Sequence, residues 1–167
     1  SDDRCVYCLD AGSGRRLWKV DLKDVVGASP AVSGGRIFVG AADGAMHCLD
    51  LGSGKAIWRA KAGKSVVATA AVGDGLVVAG ATDGNINCWA AENGELRWRR
   101  KIGGQVIASA CLAPPRVVAA GLDGAVVCMD LRDGKVVWKF EAKGKAASSP
   151  CLSGDAIYFG TRGRFVY

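Results

Sequence analysis

The sequence predicts an all-β protein, organised as a β-propeller of four-stranded antiparallel blades. Three observations carry this prediction. One pattern recurs four times at a step of 40 within 167 residues, 24 glycines are spread evenly against only four prolines, and short inner segments are apolar on both faces. Glycine serves the tight turns between short strands, and a sheet that is apolar on both faces lies between two other sheets. Repeated four-stranded units of about 40 residues are typical of propellers.

Three residue types mark the repeat. The positions that recur at a step of 40 are the tryptophans Trp18, Trp58, Trp98 and Trp138, the glycines Gly14, Gly54, Gly94 and Gly134, and the cysteines Cys8, Cys48, Cys88 and Cys128. Asp-Gly pairs keep the same step at 43–44, 83–84 and 123–124, and Asp-Gly between apolar runs favours a tight hairpin. A tryptophan combines a large apolar area with one N–H donor, so we expect each one to pack between neighbouring blades.

The strand order follows from the second copy of the repeat. We predict its first strand over Val25–Val32, its second over Arg36–Ala41, its third over Ala45–Asp50 and its fourth over Lys55–Ala60. Turns that contain glycine separate the last three strands. Each copy should therefore form one blade.

The chain is expected to form a single repeat domain over 1–167 whose two end segments are complementary. Residues 4–20 hold the third and fourth strands of a blade, and residues 145–167 hold the first and second, so the first segment would complete the blade begun by the second. Such joining removes exposed sheet edges. Closure within one chain predicts a four-bladed ring, whereas closure between two chains predicts an eight-bladed ring and a homodimer. The sequence leaves both open.

The segment from Cys48 to Trp58, Cys-Leu-Asp-Leu-Gly-Ser-Gly-Lys-Ala-Ile-Trp, resembles the tryptophan-docking motif of the pyrroloquinoline-quinone (PQQ) repeat. The resemblance covers essentially the whole chain, and the third copy departs from it because Ala90 replaces the usual Asp. The chain is similar to the non-catalytic branch of the quinoprotein alcohol dehydrogenase-like superfamily, which includes BamB-like propellers and the propeller of the β-alanine-activating enzyme. This resemblance implies a propeller, usually of eight blades, and does not by itself imply quinone binding.

No catalytic constellation is evident. The resemblance to quinoprotein dehydrogenases implies that a catalytic member would carry adjacent cysteines and calcium ligands on long loops. No two cysteines are adjacent here, and the Trp-to-Trp spacing never exceeds 40, which leaves no room for such a loop between the tryptophans. His47 is the single histidine and is expected on a strand surface; the inner serines therefore lack a histidine partner. We expect no cofactor, no metal and no enzymatic activity. The alternatives are a PQQ-dependent oxidoreductase fragment and a regulatory propeller of an acyl-adenylating enzyme.

The cysteines favour a structural interpretation. Seven is an odd number, and the spacing is unlike a secreted disulfide framework, which favours a reducing, cytoplasmic compartment. The four cysteines in register are interpreted as small buried hydrophobes. Cys111 and Cys151 fall on predicted first strands of neighbouring blades, where filling space is the simpler role. No apolar run reaches the roughly 18 residues of a membrane-spanning helix.

Positive charge concentrates in the connections from each fourth strand to the next first strand. Over 19–24, 59–64, 99–104 and 139–145, eleven Lys or Arg stand against three Asp or Glu, in a chain of net charge +6. The basic residues are Lys19, Lys23, Arg59, Lys61, Lys64, Arg99, Arg100, Lys101, Lys139, Lys143 and Lys145. They share one face of the predicted propeller, which would steer an acidic partner towards it. The simpler interpretation is that these charges protect an edge strand from pairing.

A protein is the expected partner of this face. Proteins that bind single-stranded nucleic acid interleave aromatic stacking platforms with basic residues, and Phe140 is the only aromatic residue in the four basic segments. Nucleic acid is therefore not expected. The sequence as a whole predicts a non-enzymatic binding or assembly scaffold with one basic face.

Overall fold

The computed structural model describes all residues, 1–167, and consists of β-strands without helices. The first half of the chain forms β1 (Cys5–Leu9), β2 (Arg16–Asp21), β3 (Ala31–Ser33), β4 (Arg36–Gly40), β5 (Ala45–Asp50), β6 (Ala56–Lys61), β7 (Ala71–Gly73) and β8 (Leu76–Gly80). The second half forms β9 (Asn85–Ala90), β10 (Leu96–Lys101), β11 (Cys111–Ala113), β12 (Arg116–Ala120), β13 (Ala125–Asp130), β14 (Val136–Glu141), β15 (Cys151–Ser153) and β16 (Ala156–Tyr158).

The strands form antiparallel sheets in which each strand pairs with its neighbour in sequence. Three sheets have four strands each, in the orders β3-β4-β5-β6, β7-β8-β9-β10 and β11-β12-β13-β14. The second and third strands of each are almost entirely buried, whereas the fourth alternates or is exposed. This is the predicted all-β architecture of four-stranded propeller blades, and the prediction is confirmed.

The first strand of each blade is shorter than predicted. In place of Val25–Val32, only Ala31–Ser33 joins the ladder. The apolar stretch ahead of it is buried for another reason, because it bonds to the turns of two blades. In the equivalent stretch, the Val66 N–H donates to the carbonyl of Ala41 in the preceding blade at 3.0 Å. The continuous apolar run that was predicted as one strand therefore consists of an inter-blade connection followed by a short strand.

The core lies in layers between successive sheets. One layer joins Val6 of the first sheet to Ile37 and Val39 of the next. A larger layer joins Val78 and Ile86 to residues of the following blade. Each sheet thus buries both faces only where it has a neighbour on both sides, which explains why the inner strands lack clean alternation.

The remaining strands form two half-blades, β1-β2 and β15-β16, which are separate two-stranded sheets. No ladder connects them within the chain. The structure thus describes an arc of three complete blades flanked by two half-blades. It does not show a ring closed by one chain.

Candidate functional site

A tryptophan on the fourth strand joins each blade to the next. The indole Nε1 donates a hydrogen bond to a backbone carbonyl in the third-to-fourth turn of the following blade, 33 residues further along. The three pairs are Trp18 with Leu51 at 3.2 Å, Trp58 with Ala91 at 3.0 Å and Trp98 with Leu131 at 2.9 Å. This bond satisfies the only polar group of a largely buried side chain.

Glycine in that turn gives the indole room. Gly54, Gly94 and Gly134 have φ of +70°, +74° and +69°, in the left-handed region where side chains are unfavourable. A Cβ built on them would lie 2.8, 2.7 and 2.6 Å from the rings of Trp18, Trp58 and Trp98, respectively. Any larger residue would push the two blades apart.

Cysteine lies directly across the ladder from each tryptophan. The cross-strand pairs are Cys8 with Trp18, Cys48 with Trp58, Cys88 with Trp98 and Cys128 with Trp138. A small side chain at this position leaves space on the shared face for the indole. Burial raises the pKa of the Cys48 thiol to about 11 and that of Cys88 to about 12. These thiols therefore stay protonated and act as small apolar groups, as the sequence indicated.

The docking pair is incomplete at both ends of the arc. Trp138 is 39% exposed, compared with 7% for Trp98, and its indole N–H has no acceptor in the chain. Gly14 holds the same turn position as Gly54, yet no atom lies within 4 Å of its virtual Cβ. The tryptophan half of a docking junction is therefore present at the C-terminal end of the arc, and the glycine half at the N-terminal end, but they do not meet in this chain.

The basic connections lie at the opposite end of the blades from these glycine turns, although the Arg100 side chain reaches back to the Gly134 carbonyl. The second-to-third turns share that end, since the Cβ position of Gly44 is 2.7 Å from the carbonyl oxygen of Gly63. Four of the eleven basic residues form ion pairs within the chain, namely Lys19 with Asp3 (3.8 Å), Lys23 with Asp21 (3.0 Å), Arg59 with Asp43 (2.7 Å) and Lys139 with Glu141 (2.6 Å).

Three further basic residues, all in β10, form hydrogen bonds within the chain. Arg99 Nε donates to the Asn87 side-chain oxygen at 2.6 Å, Arg100 Nε donates to the Gly134 carbonyl at 2.9 Å, and Lys101 donates to the Asp83 carbonyl. The other four are exposed, and their side-chain ammonium groups have no hydrogen-bonding or carboxylate partner in the chain; they are Lys61, Lys64, Lys143 and Lys145. We call these four the free lysines.

His47 lies in the interior, so its predicted place on a strand surface is wrong. It is 7% exposed, and its Nε2 lies 3.0 Å from Oδ2 of Asp43, which also accepts from Arg59. Burial lowers the pKa of His47 and outweighs the opposing effect of Asp43. Burial raises the pKa of Asp43, but the Arg59 hydrogen bond and the His47 charge keep it below its ordinary value. The apolar residues on both sides of His47 in β5 were the signal in the sequence that could have predicted its burial.

Asn87 takes the same register position in the next blade, opposite Arg99 as His47 is opposite Arg59. It is fully buried, and its amide nitrogen has no hydrogen-bond partner. This polar position was not singled out from the sequence. Its recurrence at the repeat step, as His47 and then Asn87, was the signal that could have found it.

No three His, Cys, Asp or Glu side chains converge in a geometry suited to a metal ion. All seven cysteines are free thiols, with Cys111 half-buried and Cys151 exposed. No element of the structure is a helix that is long and apolar enough to cross a membrane.

Fold and junctions together define a segment of a β-propeller whose blades dock through a Trp–Gly pair. The family model described as "Outer membrane protein assembly factor BamB" matches the chain over residues 2–87 and again over 68–167. The chain belongs to this family of PQQ-type repeats. No curated protein sequence matches it significantly.

Three solved structures show the same fold at low sequence identity. BamB from Moraxella catarrhalis is 22% identical with a TM-score of 0.82, over 95% of this chain and 50% of that one. The computationally designed Ika8 protein is 21% identical with a TM-score of 0.86, over 99% and 52%. The designed Ika4 protein is 19% identical with a TM-score of 0.77, over 87% and 90%. The chain thus spans about half the length of BamB and of Ika8.

Proposed function

We propose that this chain is a non-enzymatic binding module that holds an acidic protein surface against the end of the arc carrying the basic connections. The observation that carries the proposal is the set of free lysines. Lys61 is the last residue of β6 and Lys64 lies in the connection from β6 to β7, while Lys143 and Lys145 lie in the connection from β14 to β15. Exposed ammonium groups that no internal carboxylate neutralises are available to an anionic partner.

The acids at the same end accept hydrogen bonds from the turns and connections around them. The Asp83 carboxylate accepts from the Asn85 N–H at 3.0 Å, and the Asp123 carboxylate accepts from the Gly104 N–H at 2.7 Å. Asp43 is held by Arg59 and His47. These carboxylates stabilise the turns, which leaves the free lysines as the outward-facing charges.

The character of the reactive side chains supports a binding role over catalysis. The one histidine is buried and has a lowered pKa, so it is neutral and inaccessible at neutral pH. Burial raises the pKa of Cys48 and Cys88 far above neutrality, which removes the thiolate that acts as nucleophile. The family description names an assembly factor, which is consistent with a surface that contacts other proteins.

The test reverses three of the free lysines together, Lys61→Glu, Lys64→Glu and Lys143→Glu. The probe is a fluorescent poly-glutamate peptide, with anisotropy measured at low ionic strength and then with added salt. We expect the variant to lose about tenfold or more in affinity, and the wild-type binding to weaken with salt. Arg59 and Arg99 are poorer choices because they contact Asp43 and Asn87 in the interior.

A matched control makes the same charge change at the opposite end of the blades. Arg15, Lys55 and Arg132 are exposed residues of the third-to-fourth turns and form no ion pair. Their replacement by Glu should leave peptide binding within about twofold of wild type. Equal losses in the two triple variants would show that net charge alone drives binding and would refute the assigned face.

A further inference from the structure

The two half-blades carry complementary halves of one docking junction. The exposed Trp138 lacks the two partners that the preceding tryptophans find in the next blade, a carbonyl acceptor 33 residues on and a glycine 36 residues on. By the step of 40, Ala11 and Gly14 occupy the repeat positions of Leu131 and Gly134. Gly14 has φ +70° and an empty space beside it. The chain therefore has the missing partner of Trp138, but holds it at the other end of the arc.

The strand ladders are incomplete in the same complementary manner. In a complete blade, Arg36, Ile37 and Phe38 of β4 pair with Asp50, Leu49 and Cys48 of β5. The equivalent residues of β16 are Ala156, Ile157 and Tyr158, and no third strand pairs with them. Their counterparts by repeat position are Asp10, Leu9 and Cys8, in or next to β1, which pairs only with β2.

An apolar groove marks the place that a further half-blade would fill. It has a volume of about 540 Å³. Its lining residues include Val126, Trp138, Phe140, Ile157, Phe159 and Tyr167. At the other end of the arc, Leu9 of the first half-blade is 55% exposed, whereas its repeat equivalents Leu49 and Met129 are fully buried. Both surfaces are apolar, as the buried faces of adjoining blades are elsewhere in the molecule.

We infer that a second copy of this chain docks here, so that β1-β2 of one copy continues β15-β16 of the other. Trp138 would then donate to the Ala11 carbonyl of the second copy and pack against its Gly14. The same contact forms at both ends under two-fold symmetry, which closes an eight-bladed ring and pairs β16 with β1, the two strand edges that lack a ladder partner in the single chain. This chain superposes on 52% of Ika8 with a TM-score of 0.86, as expected if it forms half of such a ring. This inference is independent of the basic face.

One segment of the chain already occupies part of the docking place. Val166 forms a bridge with Gly160, and Tyr167 and Phe159 exchange backbone hydrogen bonds at 3.0 and 3.2 Å. Residues 164–167 read Arg-Phe-Val-Tyr, and residues 4–7 read Arg-Cys-Val-Tyr. The two segments are equivalent by repeat position. Residues 164–167 must therefore leave when residues 4–7 of the second copy add to β16, and they compete with association.

Light scattering over a concentration series tests the inference directly. We expect the particle mass to rise from the 17.2 kDa of one chain to twice that value. The tryptophan emission should shift to shorter wavelength over the same range, because Trp138 leaves water. A mass that stays at 17.2 kDa throughout, or grows beyond twice that value without a plateau, would overturn the closed two-copy ring.

A matched pair of glycine variants tests the junction itself. Gly14 and Gly34 both have positive φ and nothing within 4 Å of the virtual Cβ, so Gly14→Ala and Gly34→Ala carry the same backbone strain in a single chain. Only Gly14→Ala would place a Cβ against Trp138 of the second copy. We expect it to weaken association about tenfold or more, while Gly34→Ala associates as wild type. Equal association of the two variants would exclude the Trp138–Gly14 contact.

Deletion of residues 164–167 tests the competition. Removing the segment frees β16 for the incoming strand, so the shortened chain should associate more tightly than wild type. Weaker association would show that residues 164–167 support the interface and would refute the composite blade.

Discussion

Gly94 lies against the indole of Trp58 so closely that a Cβ at this position would stand 2.7 Å from the ring. The two residues belong to neighbouring blades, and the Trp58 N–H bonds to Ala91 in the same turn. One contact therefore combines three requirements: a left-handed turn residue, a flat apolar surface and a satisfied donor. It explains why tryptophan and glycine keep the step of 40 together.

The first prediction concerns that contact. Gly94→Ala should lower the free energy of unfolding by about 2–4 kcal/mol, because it adds left-handed backbone strain to overpacking against the ring. Gly75→Ala is the control, since Gly75 has nearly the same φ, +73° against +74°, and open space around its Cβ position. It should cost about 1 kcal/mol. Urea unfolding of both variants measures the difference, and similar costs would argue against a packing role for Gly94.

The second prediction compares two tryptophans in the same repeat position. Trp98→Ala should destabilise the single chain by about 3–5 kcal/mol, because it empties a buried site and leaves the Leu131 carbonyl without its donor. Trp138→Ala should cost less than about 2 kcal/mol, because this side chain is 39% exposed and makes no hydrogen bond. Thermal or urea unfolding at concentrations where the chain is monomeric measures both. A larger loss of unfolding free energy for Trp138→Ala than for Trp98→Ala would contradict the finding that Trp138 lacks a docking partner in the single chain.

The third prediction is a pH dependence that His47 confers. Its pKa in the folded chain is below the ordinary value of 6.5, mainly through burial, so the unfolded chain binds the proton more readily. The stabilisation is complete above pH 6.5 and declines as the pH falls through that value. Urea unfolding from about pH 7.0 to about pH 5.5 measures this dependence, because His47 is the only side chain of the protein whose ordinary pKa lies in the range.

The control for this dependence is His47→Asn, which copies the Asn87 found at the same register beside Arg99. Because His47 is the only histidine, the variant should show a nearly flat stability across that pH range. A dependence of unchanged slope in the variant would assign the effect to another group.

The fourth prediction ranks the thiols by reactivity. Cys151 is exposed and should react with a thiol reagent first. Cys88, whose pKa burial raises to about 12, should react only as the chain unfolds. Mass spectrometry of the native chain after short labelling distinguishes the sites, and urea-denatured protein should label at all seven positions. Early labelling of Cys88 would show that the blade opens locally.

The sequence predicted the blade well because its signals are local. The Asp-Gly turns, the tryptophans and the glycines each act within a hairpin or across one junction, so the third strand Ala45–Asp50 was predicted with its observed bounds. The first strand was predicted too long, because a buried connection and a buried strand are both continuous apolar runs. His47 was misplaced because a polar residue indicates a surface unless its partners, Asp43 and Arg59, are seen around it.

The repeat step alone determined the number of repeats, the register of each tryptophan with its glycine and cysteine, and the equivalence of residues 4–7 with 164–167. Only the tertiary structure decided that the half-blades stay apart in one chain and that Trp138 and Gly14 lack their partners. It also decided which lysines are free. The angle between successive blades results from the packing of many side chains across each junction, and no periodic pattern in the sequence encodes that sum.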